Sequence, residues 1–289
     1  MNKIDDAFKN KPIFMPYFPL GYPDLNTSID VIESLARNGA DLIEVGLSFS
    51  DPLADGLVIQ KATQVALEKG ITVKKSLEAV KELRDRGVEI PLVLMGYYNP
   101  MLAYGLEEFV CDAIDAGADG FIIPDLPPEE ADEFTFALPK NAGTVVSAVE
   151  AQVEGRKRAS STSQKSTHSP LSAIPLIQML APTTPNDRME MIARNAKGFI
   201  YLVSVTGVTG ARQSLAEGLG ELIKRVRQHT SVPVCVGFGI GTPEQAKQVG
   251  ALADGVIVGS ACVKAIGGSE NPVEAAREFA RSFREALGK

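Results

Sequence analysis

The chain has 289 residues, a formal net charge of -7 and 45% apolar residues. That apolar share supports a sizeable core. The acidic balance argues against a nucleic-acid partner and against an anionic membrane surface, since both require clustered positive charge. The three cysteines, Cys111, Cys235 and Cys262, show no CxxC spacing, and the histidines, His168 and His229, stand apart. A zinc or redox site is therefore not expected, and a reducing, cytoplasmic setting is. Residues 1–11 are polar and charged, without the apolar run of a secretory signal, and no segment is apolar for long enough to span a bilayer. A phosphorylated ligand stays open, because phosphate sites use local backbone amides rather than net charge.

Short β-rich apolar runs alternate with amphipathic stretches along most of the chain. The first run is 13–18. A helix follows, with Asn26 or Thr27 as cap, Ile29, Ile32, Leu35 and Ala36 at helical spacing, and Gly39 as its stop. Further strands are predicted at 42–46, 91–95, 121–124, 174–180, 198–203, 232–236 and 255–258. Strands alternating with helices imply a parallel sheet. Eight such units fit a single (β/α)₈ (TIM) barrel over residues 1–289, since a barrel of this kind takes about 250 residues. A doubly wound open sheet is the alternative, and it usually has fewer strands. Gly39-Ala40-Asp41, Gly117-Ala118-Asp119 and Ala253-Asp254-Gly255 echo one another, each closing a helix and opening a strand. Their spacing is not constant, so they mark repeated architecture rather than a solenoid. Pro16 cannot donate to a ladder and is placed near the end of the first strand.

One stretch breaks the rhythm. Residues 139–172 are polar, and 154–170 are rich in Ser, Thr, Lys and Arg. Such a segment cannot bury enough surface to offset the entropy of ordering it. It reads as a disordered insertion between the fourth helix and the fifth strand, on the N-terminal face of the barrel and away from its catalytic end.

The second strand carries the chemical anomaly. Alternation puts Leu42, Glu44 and Gly46 on the inward face. A carboxylate inside a barrel is costly unless it is used or paired, and Glu44 lies near the C-terminal end, where barrel enzymes keep their catalytic groups. Capping a loop is its structural alternative. The loop that follows, 47–56, is long and holds Asp51 and Asp55. Asp51 before Pro52 reads as a turn former, and Asp55 before Gly56 is open to the same reading. Gly207-Val208-Thr209-Gly210, Gly237-Phe238-Gly239 and Gly259-Ser260 follow the sixth, seventh and eighth strands. Glycines there leave amides free to meet a phosphate, and barrel phosphate sites commonly use the loops after strands seven and eight.

The segment Glu44-Val45-Gly46-Leu47-Ser48-Phe49-Ser50-Asp51-Pro52-Leu53-Ala54-Asp55-Gly56 resembles the signature of tryptophan synthase α subunits. So do 18–23, 180–184, 201–210 and 237–240. The resemblance covers nearly the whole chain except 139–172. It implies a lyase that splits indole-3-glycerol phosphate by retro-aldol cleavage into indole and glyceraldehyde-3-phosphate. The family's catalytic glutamate and aspartate match Glu44 and Asp55. The tyrosine near the reacting centre matches Tyr201. Phosphate-binding positions match Gly210, Gly239, Gly259 and Ser260, with Thr209 on the same loop as Gly210. The aromatic wall of the indole pocket matches Tyr17, where relatives often have Phe, and Met95 is expected to line that pocket. The resemblance implies no cofactor in this chain. It implies a β-subunit partner in an α₂β₂ complex, holding pyridoxal phosphate, with the loops 50–56 and 97–104 as contact surfaces. The alternatives are a catalytically weak activating subunit and a free-standing indole-glycerol-phosphate lyase.

Overall fold

Strand and helix alternate as expected in the computed structural model, which describes residues 3–137, 174–204, 212–237 and 239–289. The strands are β1 (Ile13–Pro19), β2 (Ile43–Gly46), β3 (Leu92–Met95), β4 (Gly120–Ile122), β5 (Gln178–Leu180), β6 (Ile200–Val203), β7 (Val234–Gly237) and β8 (Gly255–Val258). They pair in parallel in the order β4-β3-β2-β1-β8-β7-β6-β5. The two ends of that row meet through Phe121. Its N–H donates to the Pro175 carbonyl at 3.0 Å, and its carbonyl accepts from the Ile177 N–H at 2.8 Å. The sheet therefore closes into a barrel, and the open doubly wound alternative is excluded. The segment 139–172 lies outside the described residues, between the helix Asp132–Ala137 that follows β4 and the start of β5.

The repeated Gly-Ala-Asp echo has a physical reason. Asp41, Asp119 and Asp254 each exchange hydrogen bonds with a neighbouring strand. Their N–H groups donate to the carbonyls of Phe14, Leu92 and Val234 at 2.9 Å. Their carboxylates accept from the N–H groups of those same three residues at 2.8 to 2.9 Å. Each carboxylate also meets a cation: Lys289 at Asp41, Arg84 at Asp119, and Lys11 and Arg227 at Asp254. One residue type thus stitches three strand starts at the end of the barrel opposite the candidate site.

Three local expectations change. The cap of the helix Leu25–Asn38 is Asp24, not Asn26 or Thr27. A cap residue must be extended while its side chain reaches an amide two or three residues on. Asp24 has that backbone, φ -153° and ψ 170°, and takes the Thr27 N–H at 2.9 Å and the Thr27 hydroxyl at 2.8 Å. Gly39 ends the helix as expected, at φ 141°. Pro16 lies inside β1 rather than at its end. It is in register with Val258 on β8, while register with β2 begins one residue later, at Tyr17↔Glu44. Its missing N–H therefore falls where the ladder to β2 has not yet begun. The stretch 97–104, expected as a loop, contains the helix Tyr98–Tyr104, whose first amide donates to Asp125 Oδ1 at 3.0 Å.

Packing between strands and outer helices is apolar. Phe14 of β1 stacks on Phe283 of the last helix, Pro272–Ala286, with ring centroids 5.2 Å apart. Burying a ring of this size is worth about 1.5–3 kcal/mol. This shell holds the strand ends rigidly, and the candidate site is built on them.

Candidate active site

Alternation on β2 turns Glu44 inward as the sequence requires. Glu44 is 3% exposed, and its Oε2 has no hydrogen-bond partner among the described residues. Removal from water, and then the negative charge of Asp55, push its carboxyl up to about 8. Glu44 therefore carries a proton at neutral pH, as a general acid must.

Asp55 comes from the loop between β2 and the helix Leu57–Glu68. Several bonds hold it there. Its N–H donates to the Pro52 carbonyl at 3.0 Å, its carbonyl accepts from Gln60 Nε2 at 2.8 Å, and its Oδ2 accepts from the Tyr97 hydroxyl at 3.1 Å. Burial raises its carboxyl to about 6, against the lowering effect of the Tyr97 bond. Asp55 is thus mainly ionised at the pH where Glu44 is mainly protonated. Two carboxyl groups set apart in this way suit an acid and a charge stabiliser in one site.

Both carboxyls line a cavity of about 270 Å³ at the C-terminal ends of the strands. Tyr17, Met95 and Tyr201 line it too, with Ile59, Ile122 and Met179. The two tyrosines are placed by the same device. Tyr17 stands in register with Glu44, and Tyr201 with Cys235. Each leans over the glycine two residues further along the neighbouring strand. A Cβ at Gly46 would lie 2.3 Å from the Tyr17 hydroxyl oxygen, and one at Gly237 would lie 2.4 Å from that of Tyr201. Burial first, and then the nearby carboxyls, push both phenols well above their ordinary range, so both stay neutral.

The far side of the cavity suits an anion. Gly239, Gly241, Gly259 and Ser260 line it. Gly239 has φ 77°, a conformation that favours glycine. Ser260 opens the helix Ser260–Gly267, whose N-cap is Gly259, without a side-chain cap bond among the described residues. Free amides at a helix N-terminus, aided by the helix dipole, form a phosphate site. Gly56 faces them, since a Cβ there would lie 3.9 Å from Ser260 Oγ.

The structure thus brings together Tyr17, Glu44, Asp55, Met95, Tyr201, Gly239, Gly259 and Ser260. Thr209 and Gly210 lie outside the described residues. Sequence reasoning missed the apolar wall of Ile59, Ile122 and Met179, and it missed the bond from Tyr97 to Asp55. A tyrosine two residues beyond Met95, just past a strand's C-terminal end, was the available signal. Among the described residues, no group of three His, Cys, Asp or Glu could hold a metal ion.

A family model described as "Tryptophan synthase alpha chain" matches residues 4–168 and 157–287. The chain belongs to the tryptophan synthase alpha chain family. Among curated relatives, the tryptophan synthase alpha chain of Chloroflexus aggregans is 43% identical over 91% of this chain and 89% of its own length. That of Dehalococcoides mccartyi is 39% identical over 99% of this chain and all of its own length, 100%. Among solved structures, the tryptophan synthase subunit alpha of Legionella pneumophila has a TM-score of 0.80 at 33% identity, covering 100% of this chain and 99% of that one. A tryptophan synthase from M. tuberculosis in an aminoacrylate-bound form has a TM-score of 0.78 at 30% identity, covering 99% and 100%. The two stretches matched by the family model overlap within the segment 139–172. The barrel fold, the α-subunit role and the lyase activity of the α reaction expected from the signature all hold.

Proposed function

We propose that Glu44 and Asp55 run the retro-aldol cleavage of indole-3-glycerol phosphate in this cavity. The observation that carries the assignment is the pair of carboxyls lining one cavity, held at about 8 and about 6. Protonated Glu44 gives its proton to indole C3, which turns the ring into an electron sink. The resulting Glu44 carboxylate then takes the proton of the chain hydroxyl. The carbon–carbon bond breaks as its electrons return to the ring, leaving indole and the aldehyde, with Glu44 protonated again. Asp55 accepts a hydrogen bond from the indole N–H and stabilises the positive charge that develops there. Tyr17, Met95 and Tyr201 pack the indole. Gly239, Gly259 and Ser260, with Thr209 and Gly210, take the phosphate, which fixes the chain against the acid.

The partner is a β subunit that holds pyridoxal phosphate and uses the indole, in an α₂β₂ complex in the cytoplasm. No helix among the described residues is long and apolar enough to cross a membrane. The docking surface, 50–56 with 97–104, is supported by exposed leucines there, Leu53 at 92% and Leu102 at 48%, with Leu57 at 72% just beyond. Indole release by Glu44→Gln and Asp55→Asn tests the chemistry. Both variants should lose nearly all turnover with the fold intact. Normal turnover in Glu44→Gln removes the acid assignment, and a raised KM with unchanged kcat in Asp55→Asn makes Asp55 a binding residue only.

A further inference from the structure

Tyr97 holds the loop that carries Asp55, and it does so with a single hydroxyl. The phenol oxygen accepts the Ala54 N–H at 2.9 Å and donates to Asp55 Oδ2 at 3.1 Å. A phenol has one proton to give. With the Ala54 amide on its acceptor side, that proton is left to Asp55. The ring is itself fixed. Tyr97 is 3% exposed and packs on Phe49, with centroids 5.5 Å apart. The next residue begins the helix Tyr98–Tyr104 and is tied through its N–H to Asp125. Two consecutive residues of an otherwise long loop are thus gripped from a rigid strand end.

We infer that Tyr97 is a positioning residue, whose hydroxyl aims the Asp55 carboxylate into the cavity and holds it in the ionised form. The bond takes Oδ2 of Asp55, a residue that lines the cavity, and leaves Oδ1 outside that bond. A donated hydrogen bond favours the charged carboxylate, in line with the lowering effect of Tyr97 on Asp55. The other groups that share this electrostatic neighbourhood are Glu44 from β2, Tyr17 from β1 and Tyr201 from β6, with Asp125 acting on Tyr97 itself. Of the influences that set the Asp55 carboxyl's proton affinity, Tyr97 supplies the side-chain hydrogen bond. This inference rests on Asp55 being the charge-stabilising carboxylate of the proposed reaction.

Tyr97→Phe tests it, because the ring that packs on Phe49 is kept and only the hydroxyl is lost. The measurement is kcat/KM for indole release, in complex with the β subunit, across pH, because that ratio reports the groups of the free enzyme. The acid limb, set by Asp55 near pH 6 in the wild type, should move up, and kcat/KM at neutral pH should fall about ten- to a hundredfold, the worth of a hydrogen bond to a charged group. Substrate phosphate titrates in the same range, but equally in both proteins, so the difference reports the enzyme. An acid limb that stays in place, or an unchanged kcat/KM, overturns the inference. Asp55→Asn measured alongside separates the two readings. If it turns over normally, the role of Asp55 itself fails. If it is crippled while Tyr97→Phe is indifferent, only the role of Tyr97 fails.

Discussion

Glu44→Gln should gain stability relative to the wild type as the pH rises, even as it abolishes turnover. The Glu44 carboxyl goes from an ordinary 4.5 when unfolded to about 8 when folded. Below the lower value both states hold the proton, and no penalty arises. Between the two values the unfolded chain releases a proton that the folded chain keeps, so folding loses stability with rising pH. Above the folded value the loss is complete. Each tenfold change in proton affinity is worth about 1.4 kcal/mol, so the whole window amounts to about 5 kcal/mol, an upper bound because water entering the cavity would soften it. Glutamine cannot ionise and escapes this loss. Burying its amide adds a constant offset, which does not vary with pH. The assay is urea denaturation of both proteins at several pH values from about 5 to about 9. The stability of the variant minus that of the wild type should climb through this range and level off above about pH 8. A difference that stays flat, or that shrinks as pH rises, would refute the view that Glu44 is held protonated by burial.

The same pair of carboxyls predicts a bell-shaped kcat/KM profile, with limbs near pH 6 from Asp55 and near pH 8 from Glu44; a kcat/KM flat across that range would contradict the assignment. Gly46→Ala should push the Tyr17 ring aside, since the new Cβ would meet its hydroxyl at 2.3 Å and ring carbons at 2.6 and 2.8 Å. It should cost about 1–3 kcal/mol by urea denaturation and lower indole release, and Tyr17→Phe should restore only part of the loss. Asp254→Asn should cost about 1–3 kcal/mol at neutral pH. Burial raises the Asp254 carboxyl, but bonds from Lys11, Val234 and Arg227 outweigh it and hold the group below its ordinary value. Its stabilising contribution is present above the unfolded value and fades as pH falls through the folded one, so the two proteins should converge in strong acid. Leu53→Glu with Leu102→Glu should weaken β-subunit binding in a pull-down while leaving the barrel's melting temperature nearly unchanged; undiminished capture would move the docking surface elsewhere.

The order of strands and helices was written in the apolar pattern, because most strands are buried on both faces and the longer helices on one. So was the inward turn of Glu44, since alternation on a strand has only two phases. The signature from Glu44 to Gly56 carried the family. Other features depended on neighbours far away in the chain. Closure of the barrel rests on two bonds at Phe121, and no local pattern distinguishes it from an open sheet. The Asp24 cap and the mid-strand Pro16 depend on backbone angles and register, which residue types only constrain. Gly46 and Gly237 are explained by tyrosines on other strands. Most of all, the protonated state of Glu44 and the ionised state of Asp55 are properties of the cavity. A sequence can place two carboxyls at strand and loop, but only folding removes one from water and gives the other the Tyr97 hydroxyl. The proposed division into an acid and a charge stabiliser rests on that difference in surroundings.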